Sequence, residues 1–440
     1  MKMKMKLHWQ ILIGLGLGVV YGIFAAINGL GDFTSDWVTP FGTLFVNLLK
    51  LIAMPLIFAS LVTGIASLAD VSKLSRMGGK TIAVYLMTTV VSITIGLVVV
   101  NVLEPGKSLP PEVSARLQAS YVDEIEGRAD TIEDVKARGP LQPMVDIVPE
   151  NIVAALSQNI RMLQVVFFAL FFGVCLILAP NENTRNVKSL IQGMNDIVIK
   201  MVDLIMYVAP IGVFALIAGT ITAVAGDSIE AVLDLLTSLG FYTLVVLLGL
   251  LLHVILVYST FVHFFTRFSL KEFYTGIAPA QLLAFSTSSS AATLPVTMEC
   301  VEENLGVKNE VASFVLPLGA TINLDGTALY QAVATVFIAQ ALGMELNLAA
   351  QLTIVLTALL ASIGTAPVPA AGIIMLVIVL ESVGVPSSGI ALILGVDRIL
   401  DMARTATNVT GDSAVTVLID AAEKRWAKKN ALVQTESGQI

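Results

Sequence analysis

The chain has 440 residues, of which 56% are hydrophobic and only 13% charged, with a net charge of −8 and a mean hydropathy of +0.86. Soluble domains carry roughly 25% charged residues, so this chain has too little charge to cover a water-facing surface. Apolar stretches of about 20 residues recur along it, each long enough to cross ~30 Å of hydrocarbon, which excludes an ordinary soluble domain.

With almost no strand-type alternation, these stretches are helices rather than barrel strands. The first, in MKMKMKLHWQILIGLGLGVVYGIFAA, has the basic start of a signal peptide. Its apolar run is too long and no convincing small-residue cleavage site follows, so it reads as an uncleaved span. Apolar spans are expected near 9–30, 38–67, 80–103, 160–179, 192–224 and 231–264. Residues 275–305 and 350–385 are apolar but interrupted by Ser, Gly and Pro, and each precedes a polar-studded helix, at 309–341 and 388–421.

Basic residues at Lys2, Lys4, Lys6, Lys73, Arg76, Lys80, Arg185, Lys188, Arg267, Lys271 and the closing EKRWAKK mark the cytoplasmic side. Asp32, Asp36, Asp227, Glu230 and the net acidic segment 104–150 belong outside, so both termini are expected in the cytoplasm. GVKNE, before the second-last helix, fits this rule poorly. The stretch 107–140 is too short for a core of its own and reads as an extracellular loop. The negative balance sits in loops and argues neither for nor against a nucleic-acid partner; none is expected. Cys175 and Cys300 make neither a disulfide framework nor a metal site, and His8, His253 and His263 are too scattered along the chain to be ligands.

The last 170 or so residues contain an internal echo. STSSSAATLP (286–295) precedes a helix carrying NLDGT (323–327), and SIGTAPVP (362–369) precedes one carrying NVTGD (408–412). A small-residue cluster alone means helix packing. Two interrupted segments at corresponding places in two repeats instead point to a transporter binding site.

On a helix turning about 100° per residue, Asp397, Asp401, Arg404, Thr405, Asn408 and Asp412 fall within an arc of about 100°. Ionisable groups inside a membrane are functional candidates by default. A structural Asp–Arg pair is the plain alternative, with Asp397 and Arg398 as its candidates, but such a pair does not need Asn408 and Asp412 further along. Asn323, Asp325 and Thr327 surround Gly326, which predicts local unwinding there and oxygen ligands suited to a small hard cation.

STSSSAATLP, PLGATINLDGTALYQ, SIGTAPVPAAG and DRILDMARTATNVTGD, together with LIAMPLIFASLVTGIASL and APIGVFALIAGTI, strongly resemble the glutamate/aspartate transporters, the dicarboxylate/amino-acid:cation symporters. The resemblance covers nearly the whole chain apart from 107–140 and the tail. It implies an all-α polytopic membrane protein of the plasma membrane, with eight transmembrane helices, two re-entrant helical hairpins and inverted repeats. It further implies a homotrimer in the lipid bilayer whose transport domains slide like elevators.

The scaffold would comprise helices 1–2 (1–78) and 4–5 (151–228). The moving body would comprise helix 3 (79–106) and residues 229–424, with an acidic loop at 107–150 and a cytoplasmic tail at 425–440. By resemblance Arg404 receives the substrate side-chain carboxylate and Asp401 its ammonium. Thr327, Thr405 and Asn408 add hydrogen bonds, and the chain at Ser289, Ser290 and Val368 completes the cage. Sodium ions would be held by Tyr85, Thr88, Thr89, Asn323, Asp325, Asn408 and Asp412, with carbonyls at Ser362, Ile363 and Thr365.

The charge pattern agrees independently: a zwitterionic acidic amino acid has one positive and two negative groups, matched by Asp401, Arg404 and a hairpin helix N-terminus. A plain dicarboxylate would leave Asp401 an unpaired charge. At ~100 mV and a tenfold gradient, one entering Na⁺ supplies about 2.3 plus about 1.4 kcal/mol, against about 2.3 for the substrate's own net charge. Useful uptake therefore needs more than one ion.

Three departures from the family bear on coupling and gating. Sodium-driven members usually carry Met where this chain has Leu324, and leucine is more typical of branches that use protons wholly or partly. Those branches tend to end the last motif in Asn, where this chain keeps Asp412. At the second hairpin tip, Pro367 and Ala370 stand where glycine is common. Gln331 occupies the place of a proton-carrying glutamate in animal relatives and cannot titrate. Sodium is the expected coupling ion; H⁺ coupling, with glutamate, aspartate or a C4-dicarboxylate as substrate, is the alternative. A passive channel would want like groups along a continuous pore, and a hydrolase would want a base beside Ser288, Ser289 or Ser290; neither pattern is present, and the chain is not expected to be an enzyme.

Overall fold

A computed structural model of the protein describes residues 7–67, 75–110, 112, 114–115, 148–157, 162–179, 181–225, 229–365 and 370–436. Pro367, Val368, most of the acidic loop and the extreme termini lie outside the described residues. The described chain is helical. Helix α1 (Leu7–Ile27) leads through Gly31–Phe33 and a π-helical turn at Thr34–Val38 into α2 (Thr39–Ser67). Helix α3 (Ser75–Leu103), the short α4 (Ile152–Leu156), α5 (Met162–Leu178) and α6 (Glu182–Ala225) follow. Helix α6 starts ten residues before the expected apolar span, because its first turns are polar and extend beyond the apolar stretch.

Helix α7 (Ile229–His253) continues through a π-helical turn, Val254–Ser259, into α8 (Thr260–Phe265). Among the described residues, five helical stretches are long and apolar enough to cross a membrane: Trp9–Ile27, Gly31–Thr63, Met77–Ser108, Glu182–Ala223 and Glu230–Phe265.

Two helical hairpins follow. In the first, α9 (Leu270–Thr287) opens with a Ser269/Glu272 capping box and stops where Ser288 turns left-handed at φ 53°. Ser289 then caps α10 (Ser290–Glu299), its hydroxyl accepting from the Ala292 N–H. The chain reverses there, since Asn304 Nδ2 donates to the Gly276 carbonyl at 2.8 Å near the other end of the pair. In the second, α13 (Leu348–Gly364) is capped by Asn347 and pairs with α14 (Ala371–Ser382), Thr357 meeting Ser382 at 3.2 Å. Between the hairpins lie α11 (Asn309–Ile322) and α12 (Asp325–Ala341). The last described element is α15 (Ile390–Glu436), which continues into the segment expected to be a tail.

Helices α1, α2, α5 and α6 pack mainly on one another. Small residues set that closeness: a Cβ at Gly14, Gly18 or Gly22 would lie 2.4–2.8 Å from atoms of Pro210, Phe214 or Ile221 on α6. The outward side of this group is apolar, with Leu17, Val20, Phe24, Phe41, Leu44 and Ile211 all more than half exposed. Helices α3, α7 and α9–α15 form a second group around α12, of which nearly every residue is buried.

Candidate functional site

The break between α11 and α12 makes one half of the site. It falls at Asn323 and Leu324, two residues before the unwinding expected at Gly326. Gly326 lies inside the first turn of α12, and its missing side chain serves close approach: a Cβ there would sit 2.8 Å from the Arg404 carbonyl oxygen. The Gly326 N–H, one of the donors a helix start leaves unpaired, donates to Asn408 Oδ1 at 2.8 Å.

Around this break the expected cation ligands from three helices converge, all fully or nearly fully buried. Thr89 donates to Asp325 Oδ1 at 2.6 Å, and Ser92 to the Asp325 carbonyl at 2.8 Å. Asn323 accepts from Thr88 at 3.4 Å and donates to Asp412 Oδ1 at 2.9 Å. Tyr85 donates to the Val315 carbonyl at 3.1 Å, and a Cβ on Gly319 would touch both the Tyr85 hydroxyl and Asp412. Two carboxylates, an amide and four hydroxyls therefore lie together in the buried interior, a set of hard oxygen donors.

Two further partners of Asp325 come from α7 and the turn after it. Tyr258 donates to Oδ2 at 2.7 Å, and His253 Nε2 lies 3.2 Å from the same atom, its ring edge-on to Tyr258. Histidines scattered in sequence are not thereby distant in space: the fold brings His253 onto the carboxylate. The available signal was a histidine and a tyrosine inside the otherwise apolar LLLHVILVYS.

The other half lies one to two turns earlier on α15. Arg404 is fully buried, donating through Nη1 to Asp397 at 3.0 Å and through Nη2 to Asp401 at 2.7 Å. Its guanidinium carbon stands 3.8 Å over the Tyr330 ring, a cation–π contact that fixes the plane of the fork. The sequence paired Asp397 with Arg398; the structure pairs Asp397 with Arg404 and places Arg398 3.6 Å from Asp401. Residues seven apart share a helix face, whereas adjacent ones diverge by about 100°.

Asp401 Oδ2 also accepts from the Ala370 N–H at 3.2 Å, so the tip of the second hairpin rests on it. Thr405 donates to the Asp401 carbonyl at 2.8 Å, and Asn408 reaches Thr327 at 3.4 Å, joining the two halves. Hairpin one packs beside them: Gln281 Nε2 donates to Thr410 at 2.8 Å, and Ala280 and Ala284 pack with Val409.

Not every expected residue is drawn in by its side chain. The hydroxyls of Ser362 and Thr365 donate back into α13, to the Leu359 and Ala361 carbonyls, and Ile363 packs against the apolar clusters. Ser289 serves as a helix cap and Ser290 is buried at the first position of α10. Gln331 Nε2 donates to the Gly372 carbonyl at 3.1 Å, linking α12 to hairpin two.

Broken helices and paired hairpins that converge on a buried cluster of charge, within an apolar helical exterior, are the construction of a membrane transporter. Residues 7–422 match the sodium:dicarboxylate symporter family, and the chain belongs to that family. The family is one of symporters, so the protein is a transporter and not an enzyme.

The chain is 34% identical to a proton/sodium-glutamate symport protein of Geobacillus stearothermophilus, covering 96% of each chain. It is 33% identical to a proton/glutamate-aspartate symporter of Escherichia coli (strain K12), covering 98% of this chain and 95% of that one. It is 36% identical to excitatory amino acid transporter 1 of Ambystoma tigrinum, over 84% of this chain and 75% of that relative.

Proposed function

We propose that the protein is a sodium-coupled symporter of acidic amino acids, L-aspartate or L-glutamate, in the plasma membrane. The observation that carries this reading is the adjacency, along α15, of a fixed carboxylate-binding fork at Arg404 and a buried oxygen cluster around Asp325 and Asp412. Arg404 takes the side-chain carboxylate, since a guanidinium meets it at two points, and Asp401 takes the ammonium. Thr327, Thr405 and Asn408 complete the polar lining, together with the chain at Ser289, Ser290 and Val368. The names of the relatives, which include glutamate and aspartate symporters, favour the same substrate class.

Sodium ions occupy the oxygen set of Tyr85, Thr88, Thr89, Asn323, Asp325, Asn408 and Asp412, with carbonyls from Ser362, Ile363 and Thr365. Asn408 bonds both to the Gly326 N–H and to Thr327, which gives ion and substrate a shared wall and hence a basis for coupling. The chain crosses the membrane eight times with both termini cytoplasmic, and the hairpins enter from opposite sides as parts of inverted repeats. Helices α1, α2, α5 and α6 form the scaffold of a homotrimer, against which the α3, α7–α15 body slides as an elevator.

Uptake of radiolabelled aspartate and glutamate into proteoliposomes, with Na⁺ and H⁺ gradients imposed separately, tests the coupling. The expected result is accumulation that follows the sodium gradient and carries net charge. Accumulation without sodium that tracks an imposed pH gradient would instead place the protein among proton-coupled symporters.

A further inference from the structure

The two arginines of the DRILDMART stretch are held very differently. Arg404 is bonded through two nitrogens and stacked on Tyr330. Arg398 has, among the described residues, only an ion pair with Asp401 at 3.6 Å, beyond hydrogen-bonding reach; the buried Nε of each arginine has no partner among those residues, so the difference lies in their terminal nitrogens. It borders a cavity of about 30 Å³ between hairpin two and the helices α1, α2 and α6. On the far side that cavity is lined by apolar groups including Phe45, Leu49, Ala209 and Val213; the charged side chains on it are Asp397, Arg398 and Asp401. Among the described residues, Arg398 thus faces no acidic partner on the opposite wall, only on its own helix, and it borders the cavity.

Asp401 is correspondingly crowded. Oδ1 receives Arg404, while Oδ2 receives the Ala370 N–H and faces Arg398. Both the Arg398 and Asp401 side chains are mostly shielded from solvent, at 14% and 10% exposure, so their attraction is screened less than that of a surface pair. The expectation that an amine-free dicarboxylate would leave Asp401 unpaired therefore fails on geometry, since a second cation is already beside it.

We propose that Arg398 is a specificity-determining residue: it stands in for the substrate ammonium at Asp401 Oδ2, and an amine-bearing substrate must displace it. This rests on the substrate reading given above. When the ammonium binds, Arg398 gives up Oδ2 and turns toward the cavity; when an amine-free dicarboxylate binds, Arg398 remains and supplies the missing charge. The residue therefore weakens binding of amino acids and strengthens binding of their amine-free analogues, narrowing the preference between the two.

The test is binding of L-aspartate and of succinate to purified full-length protein, measured calorimetrically at saturating sodium, for wild type, Arg398→Ala and Arg398→Lys. We expect wild type to bind both. In Arg398→Ala, aspartate binds more tightly and succinate more weakly, so the ratio of the two dissociation constants shifts by about tenfold, the size of one partly shielded charge pair. Arg398→Lys keeps the charge and returns most of the ratio, which a merely structural role would not do. An unchanged ratio in Arg398→Ala, or a wild type that binds aspartate but not succinate, overturns the inference alone. A wild type that binds neither aspartate nor glutamate overturns the substrate reading and the inference together.

Discussion

At the scale of single residues, the buried charges are the most informative feature, because each needs a partner that can be named. Arg404 has three: Asp397, Asp401 and the Tyr330 face. With the fork removed, the proposed site loses the group assigned to the substrate's side-chain carboxylate. Arg404→Cys is expected to abolish binding of acidic amino acids and to admit small neutral ones, and uptake competition between aspartate and serine checks this. Undiminished aspartate uptake by the variant would falsify the assignment.

Gly411, inside NVTGD, yields a prediction that comes from its packing and not from the motif. A Cβ there would lie 2.3 Å from the Tyr258 hydroxyl, the group that donates to Asp325. Gly411→Ala must push Tyr258 off the carboxylate, and losing a hydrogen bond to a charged group costs about 1.5–3 kcal/mol. The apparent sodium affinity should fall by roughly tenfold or more, with aspartate affinity at saturating sodium little changed. A sodium titration of aspartate binding decides it, and an unaltered midpoint would mean that Tyr258 is not part of the ion site.

At the scale of elements, the hairpins are defined by how their helices start and stop. Ala370 precedes α14 with φ at 64°, a left-handed conformation that costs an alanine about 1 kcal/mol or more. Glycine, which the resemblance leads one to expect here, would adopt this conformation without that cost. Ala370→Gly should relieve the strain and raise the melting temperature of the purified protein by about 1–2 °C; a lower melting temperature would show that the strain is balanced by contacts the alanine methyl makes.

At the start of α9, the Ser269 N–H and hydroxyl both donate to Glu272 and hold its carboxyl below its ordinary value of 4.5. A depressed folded value means the cap contributes its full stability above the unfolded value and loses it as pH falls through the folded one. Glu272→Gln should therefore flatten the part of the stability loss that this cap is expected to contribute on acidifying below about pH 4.5, with melting curves across that window as the measurement.

At the scale of the whole molecule, α15 touches both helical groups: it carries the site on one face and meets α1 and α6 on another. A Cβ on Gly395 would fall 2.4 Å from Leu15 on α1 and 3.4 Å from Ile217 on α6. If the two groups slide past each other as proposed, a bond at this point must stop transport without destroying the site. With Cys175 and Cys300 replaced, a Leu15→Cys/Gly395→Cys pair should, on oxidation, lose uptake while retaining aspartate binding, and reduction should restore uptake. Continued uptake by fully cross-linked protein would rule out sliding along this face.

The sequence alone determined the class of solvent, the helical character, the two interrupted segments and the polar stripe on the last helix. Each is a local property: hydrophobic length follows from membrane thickness, and the stripe follows from a fixed angle per residue. The motifs around Asp325 and Asp401 were legible for the same reason, being runs of neighbours whose chemistry conflicts with an apolar helix. Partnership across helices was not legible, because no periodicity relates His253 and Tyr258 to Asp325, or Gly411 to Tyr258. Only the packing of α7, α12 and α15 against one another decided that His253 and Tyr258 serve Asp325 and that the Tyr330 ring lies under Arg404, whereas Asp397 with Arg404 and Arg398 with Asp401 follow the turn of a single helix. In a buried polar cluster most donors find an acceptor, and which acceptor each finds depends on the meeting of side chains that are up to hundreds of positions apart.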